Sequence, residues 1–174
     1  ATGRSNAEYE NNPTGVQNPI GADLVVMIGW RDGKSNGVEV YDPADEDTAL
    51  VSDFTFRASG NTLTAVIPLA DLGLTSGQTI ALSAFQEGAS DDWAVDWLES
   101  DTLTIGGVPT SSALVADPED MADSSGDIRA IQAEVLGDYL HLSMSVQGAA
   151  APSTEQTPEN MSNRYYYHWL LDTD

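Results

Sequence analysis

The chain has 174 residues, 41% of them hydrophobic, which is enough for one domain with a buried core. Its 28 acidic and 6 basic residues give a net charge of −22, which repels phosphate backbones and anionic membranes and argues against nucleic acid as a partner. It contains no cysteine, which excludes disulfides, thiolate nucleophiles and zinc ribbons, and no apolar run long enough to insert into a membrane.

Nine segments, separated by turn signals such as Asn36-Gly37 and Gly137-Asp138, alternate between apolar and polar residues or are almost wholly apolar. They are Ala22–Trp30, Gly37–Tyr41, Ala49–Ala58, Asn61–Pro68, Thr79–Glu87, Asp101–Ile105, Asp127–Leu136, Asp138–Gln147 and Arg164–Asp172. This spacing predicts an all-β fold, an antiparallel β-sandwich of the jelly-roll or immunoglobulin-like kind with about nine strands. Helix is minimal, with one predicted turn at Leu69–Leu72.

Two segments are polar and rich in small residues. Residues 106–112 are typical of a linker, and residues 148–163 form a long polar loop that contains a glycosylation sequon at Asn160. Along the strand before that loop, Leu140, Leu142 and Met144 share one face, which we expect in the core, and polar residues share the other, which we expect in water. We treat residues 1–174 as a single β-sandwich domain.

Several short motifs carry a family resemblance. Asp117–Gln147 combines an acidic start, Gly-Asp-Ile and a hairpin that continues Tyr-Leu-x-Leu, and Tyr165–Asp174 is a strand ending in Asp-Thr-Asp. Residues 1–3 (Ala-Thr-Gly), Gly21–Asp23 and Ile67–Leu74 supply later motifs. Together they resemble family 9 carbohydrate-binding modules and related DOMON-like sandwiches, in which a loop such as DTDNNPATG follows that strand.

The motifs stand in a permuted order, because the family arrangement corresponds to residues 113–174 followed by residues 1–105. Three situations produce this order: a segment cut from a tandem array with residues 106–112 as the linker, the repeating unit of a polymer, or a circular permutant.

Asp172 and Asp174 are the first candidate metal ligands. Alternate carboxylates at a strand end supply the oxygen ligands that Ca²⁺ prefers, and Asp23, at the start of the adjoining strand, is a natural third ligand. An Asx-type turn without metal is the alternative.

A second acidic group lies near the predicted start of the permuted domain. It contains Asp117, Asp120, Asp123 and Asp127 as candidate calcium ligands, with Glu119 among them. Asp96 belongs to another group, with Asp91 and Asp92. Acidic runs are most often solvated surface.

Aromatic residues are concentrated in two places. Tyr165, Tyr167 and Trp169 share one strand face, and Trp93 and Trp97 lie in an acidic loop. Exposed rings stack on sugars, so these five are candidate carbohydrate-binding residues; a place in the core or at a subunit contact is the alternative.

Catalysis has little support, since no nucleophile, metalloprotease or P-loop motif occurs, and we expect a protein that is not an enzyme. The DOMON resemblance also implies a remote haem alternative, for which His168 with Met27 or Met161 is the available pair.

The sequence therefore predicts a non-catalytic, calcium-stabilised module of an extracellular or cell-surface repetitive protein, adhesin or filament. Its expected partners are copies of itself or neighbouring repeats. A carbohydrate-binding module, with polysaccharide as partner, is the alternative. Divalent cations or salt outside the cell would relieve the self-repulsion of so acidic a chain.

Overall fold

The computed structural model describes residues 20–88, 95–106, 112–119, 124–151 and 164–174. Within them the chain forms eleven strands: β1 (Leu24–Arg31), β2 (Lys34–Asp42), β3 (Asp45–Val51), β4 (Thr55–Ser59), β5 (Thr62–Pro68), β6 (Thr79–Gly88), β7 (Val95–Thr104), β8 (Ser112–Ala116), β9 (Ile128–Leu136), β10 (Tyr139–Val146) and β11 (Arg164–Asp172). A short 3-10 helix at Leu69–Leu72 confirms the predicted helical turn. No helix in these ranges is both long and apolar enough to cross a membrane.

The strands form two antiparallel sheets. One has six strands in the order β3-β2-β1-β11-β6-β7, and the other has five in the order β4-β5-β10-β9-β8. Apolar side chains from both sheets meet in one core cluster, in which Val26 and Ile28 of the first sheet join Leu63 and Leu140 of the second. The predicted all-β sandwich is confirmed.

The alternation along the hairpin β9–β10 explains how the five-stranded sheet buries one face. Leu140, Leu142 and Met144 are fully buried, whereas Tyr139 is exposed and the polar residues between them are half-buried. Gly137 closes this hairpin with φ +63°, a left-handed conformation that favours glycine. The expected division into a core face and a wetter face is therefore confirmed for this strand.

The strand pattern differs from the prediction in three main places. The predicted segment Ala49–Ala58 is two strands, β3 and β4, and they belong to opposite sheets. The chain crosses between the sheets through residues 52–54, where Phe54 is buried and Asp53 is exposed. A second difference is β8, which begins at Ser112, the last residue of the predicted linker, and pairs with β9. A third is β7, which begins at Val95, ahead of the predicted segment Asp101–Ile105, so Trp97 lies in a strand and not in a loop.

The six-stranded sheet is apolar on both faces near its centre. On the outer face, Val25, Tyr41, Phe85 and Leu170 form a second buried cluster with Ala22. Strand β11 is a central strand flanked by β1 and β6, and it therefore carries buried side chains on both sides.

Candidate functional site

The structure brings the first predicted ligand set together. Strand β11 pairs antiparallel with β1, with Leu171 opposite Leu24, so the end of β11 lies beside the start of β1. The backbone N–H of Asp23 donates to the Leu171 carbonyl at 2.9 Å. Asp23, Asp172 and Asp174 each place one carboxylate oxygen within 4.8 Å of the others. We refer to these three residues as the strand-end cluster.

Backbone and side-chain hydrogen bonds hold the strand-end cluster in place. Both the backbone N–H and the hydroxyl of Thr173 donate to Asp23 Oδ2, each at 2.9 Å. Gln78 Nε2 donates to the Thr173 carbonyl at 2.6 Å, and the Asp174 N–H donates to Asp172 Oδ1 at 3.4 Å. The Asp-Thr-Asp segment is thus folded over Asp23, which fixes the three carboxylates relative to one another.

The electrostatics of the strand-end cluster are repulsive. Desolvation by burial raises the pKa of Asp172, and repulsion from Asp23 and Asp174 raises it further, against the opposing hydrogen bond from the Asp174 backbone. Ca²⁺–oxygen distances of about 2.3–2.6 Å allow two ligand oxygens to lie up to about 5 Å apart across one ion. Oxygens within 4.8 Å of one another therefore fit a single calcium ion.

A second carboxylate cluster includes two of the four other predicted ligands. Asp117 and Asp127 lie together, and Asp96 of β7 completes the group, again with oxygens within 4.8 Å of one another. Asp120 and Asp123 lie outside the described residues. Sequence reasoning assigned Asp96 to a different acidic group. Its position amid the apolar and aromatic residues of the segment Val95–Leu98 was the available signal that it faces inward.

The predicted sugar-binding row on β11 is part of the core. Tyr165, Tyr167 and Trp169 are 8%, 0% and 1% exposed, so their faces are not available to stack on a sugar. The Tyr167 hydroxyl donates to the Ser125 carbonyl at 3.3 Å and accepts from the Ala151 N–H at 3.2 Å. This corrects the carbohydrate assignment for the row, because the second sheet covers that face of β11.

The other two predicted sugar-binding residues are not described in the same detail. Trp93 lies outside the described residues, and Trp97 lies in β7 with its side chain outside them. The carbohydrate-binding prediction therefore rests on these two side chains alone.

The residues named for haem do not fit an axial pair. His168 and Met27 are direct cross-strand neighbours, so their side chains leave the same face of the sheet in the same direction. The His168 ring also stacks on Phe85 at 4.0 Å, with an interplanar angle of 9°. Axial ligands approach iron from opposite sides, which this parallel arrangement does not provide. Met161 lies outside the described residues.

Desolvation by burial lowers the pKa of His168 to about 3, although hydrogen bonds with the backbone of Tyr166 and Phe85 oppose that shift. The imidazole is therefore neutral at physiological pH and packs as part of the outer-face cluster.

Comparison with known proteins gives no relative for this chain: no family model, no curated protein and no solved structure matches it.

Proposed function

We propose that the chain is a non-catalytic β-sandwich module whose folded state is stabilised by calcium. The observation that carries this proposal is the strand-end cluster, in which three carboxylates from opposite ends of the described chain lie within reach of one ion. Two of these carboxylates repel a third whose pKa is already raised by burial. A divalent cation would convert this repulsion into a cross-link between β1 and β11.

We place this module in an extracellular or cell-surface protein built from repeats, such as an adhesin or a filament. A net charge of −22 without any cysteine favours a setting in which calcium supplies both the cross-links and the counter-charge. Strands β11 and β1 are antiparallel neighbours, as consecutive strands of the permuted order 113–174 then 1–105 would be. The resemblance to family 9 carbohydrate-binding modules and DOMON-like sandwiches belongs to this proposal.

Removal of calcium tests the stabilising role. With EDTA at fixed ionic strength, we expect the melting temperature to fall by more than about 10 °C. For a domain of this size, such a fall corresponds to the loss of about 3–4 kcal/mol of calcium-binding free energy. The double variant Asp172→Asn/Asp174→Asn should show a smaller fall in melting temperature with EDTA than the wild type, because the contribution of the strand-end cluster is already absent. The matched control Asp53→Asn/Asp71→Asn removes the same charge from two exposed positions and should keep the wild-type response. A wild-type melting curve unchanged by EDTA would contradict the proposal.

Association is tested separately, by light scattering with and without calcium. If neighbouring repeats are the partners, calcium should increase the molar mass or stiffness of the assembly, because two bodies of charge −22 otherwise repel each other. A strict monomer under both conditions would contradict self-association and leave the stabilising role in place.

A further inference from the structure

The second carboxylate cluster lies where the edges of the two sheets meet. Strand β7 is the edge of the six-stranded sheet, and β8 is the edge of the five-stranded sheet. Asp96 belongs to β7, Asp117 follows β8, and Asp127 precedes β9. We refer to these three residues as the sheet-edge cluster. It therefore joins three segments from both sheets at one side of the sandwich.

The sheet-edge cluster is far more buried than the strand-end cluster. Asp127 is fully buried and Asp96 is 4% exposed, with Asp117 half-buried. The Ile128 N–H donates to Asp96 Oδ2 at 2.6 Å, which ties β7 to the start of β9. The Asp117 N–H donates to the Arg129 carbonyl at 3.0 Å. The first bond holds the Asp96 carboxylate in the interior, and the second fixes the backbone that carries Asp117.

The sheet-edge cluster concentrates acidic groups in the interior. Arg129 places Nη1 3.8 Å from Asp127 Oδ2, so a guanidinium lies beside this group of three carboxylates. Its side chain is 32% exposed, whereas that of Asp127 is fully buried. Burying a carboxylate costs several kcal/mol unless it is paired and hydrogen-bonded, and a cation held between these three carboxylates would offset that cost.

A buried amide provides a second, independent sign of a ligand. Gln86 of β6 is opposite Asp96 in the β6–β7 ladder, so both side chains leave the same face of the sheet. Gln86 is 1% exposed, and its Nε2 has no hydrogen-bond partner within the described part of the chain. A half-turn of the amide exchanges Nε2 with Oε1, and an amide oxygen is an ordinary calcium ligand.

We propose that the sheet-edge cluster is a divalent-cation site of the calcium class, with Gln86 as a fourth oxygen donor, which clamps the edges of the two sheets together. The proposal adds a site to the calcium-stabilised module proposed above, but its residues and its test are independent of the strand-end cluster. Oxygens within 4.8 Å of one another fit one ion, as they do in the strand-end cluster.

Equilibrium dialysis against calcium, followed by metal analysis of the full chain, tests the site. We expect Asp127→Asn to bind one ion fewer than the wild type. Asp117→Asn changes a half-buried residue, so the test remains valid if Asp127→Asn fails to fold. This variant should weaken calcium binding at the sheet-edge cluster by about tenfold or more. The control Asp53→Asn should bind the wild-type number of ions.

Adding Asp117→Asn to Asp172→Asn/Asp174→Asn separates the two sites. The double variant should lose one ion, and in the triple variant the ion at the sheet-edge cluster should in addition bind about tenfold more weakly or be lost. The same stoichiometry and affinity in the wild type, Asp117→Asn and Asp127→Asn would overturn the sheet-edge site, because the carboxylates would then be held by shared protons. An unchanged stoichiometry in Asp172→Asn/Asp174→Asn alone would count against the strand-end cluster and leave the sheet-edge site standing.

Discussion

Leu142 offers the most direct test of the core, through the substitution Leu142→Ala. Its side chain is fully buried at the centre of β10, which lies between β5 and β9. The residues directly opposite it are Ala65 on β5 and Ala133 on β9, and neither can extend into the space that the leucine leaves. Leu→Ala changes in cores cost about 2–5 kcal/mol, and poor collapse of the cavity favours the upper half of that range. We expect a loss of about 3–4 kcal/mol.

Urea denaturation, followed by the fluorescence of the four tryptophans in saturating calcium, measures this loss. The control Leu50→Ala removes the same atoms from a side chain that is 56% exposed on the edge strand β3, and it should cost less than about 1 kcal/mol. If Leu142→Ala costs no more than Leu50→Ala, with equal slopes in urea, then the assignment of this strand face to the core is wrong.

Two further substitutions probe the outer face and a close backbone contact. The unfolded chain protonates His168 near pH 6.5 and the folded chain only near pH 3, so the stability that this residue contributes is complete above pH 6.5 and is lost as the pH falls. Between pH 8 and pH 4.5, the free energy of unfolding of His168→Phe, measured by urea denaturation, should therefore rise by about 2–3 kcal/mol relative to that of the wild type. A difference between the two proteins that does not change with pH would refute the argument. The row facing this ring across the sheet contains Met27 and Phe85, with Glu39 beyond Met27 as its charged member. A Cβ on Gly148 would lie 2.5 Å from the Oγ and 3.0 Å from the carbonyl carbon of Ser124. Gly148→Ala should therefore lower the free energy of unfolding by about 1–3 kcal/mol. An unchanged midpoint in urea would show that the backbone around Ser124 shifts to make room for the methyl group at little cost.

The strand-end cluster could be predicted from the sequence because two of its three carboxylates, those of Asp172 and Asp174, are close together in the chain. Alternate carboxylates at a strand end lie close together in any β-strand, and Asp23 joins them once β11 and β1 are antiparallel neighbours. The resemblance to a known loop supplied that pairing. The three residues named from the sequence are the three that the structure brings together.

The sheet-edge cluster could be predicted only in part, because it depends on how two sheets meet. Asp117 and Asp127 flank one acidic segment, whereas Asp96 reaches them from the edge of the other sheet. No periodicity within a single strand encodes which edges come together. The same limit applies to Gln86, whose proposed role as a ligand follows from its cross-strand register with Asp96.

The strand count shows a related limit. Alternation places side chains on two faces, but it does not indicate when the chain passes from one sheet to the other. The segment Ala49–Ala58 keeps a strand-like composition through the crossing, so two strands in different sheets read as one. For β11 the error is the exposed aromatic row that was expected on one face. Apolar residues on both faces are typical of a central strand that is covered on both sides, and only the position of β11 between β1 and β6 explains them.

With calcium bound as proposed above, the two carboxylate clusters would give a physical reason for a chain that is so acidic and has no cysteine. The strand-end cluster joins Asp23 to Asp172 and Asp174, which are almost the whole described chain apart in sequence, and the sheet-edge cluster joins the two sheets. These are positions where a cross-link restricts the unfolded chain most, since long loops lose most entropy on closure. Unlike a disulfide, a calcium cross-link has a strength set by concentration, with about 2.7 kcal/mol per site at 100 times the dissociation constant. With both sites filled, folding would therefore depend strongly on calcium, and the carboxylates that repel in its absence would become the ligands that hold the sandwich together.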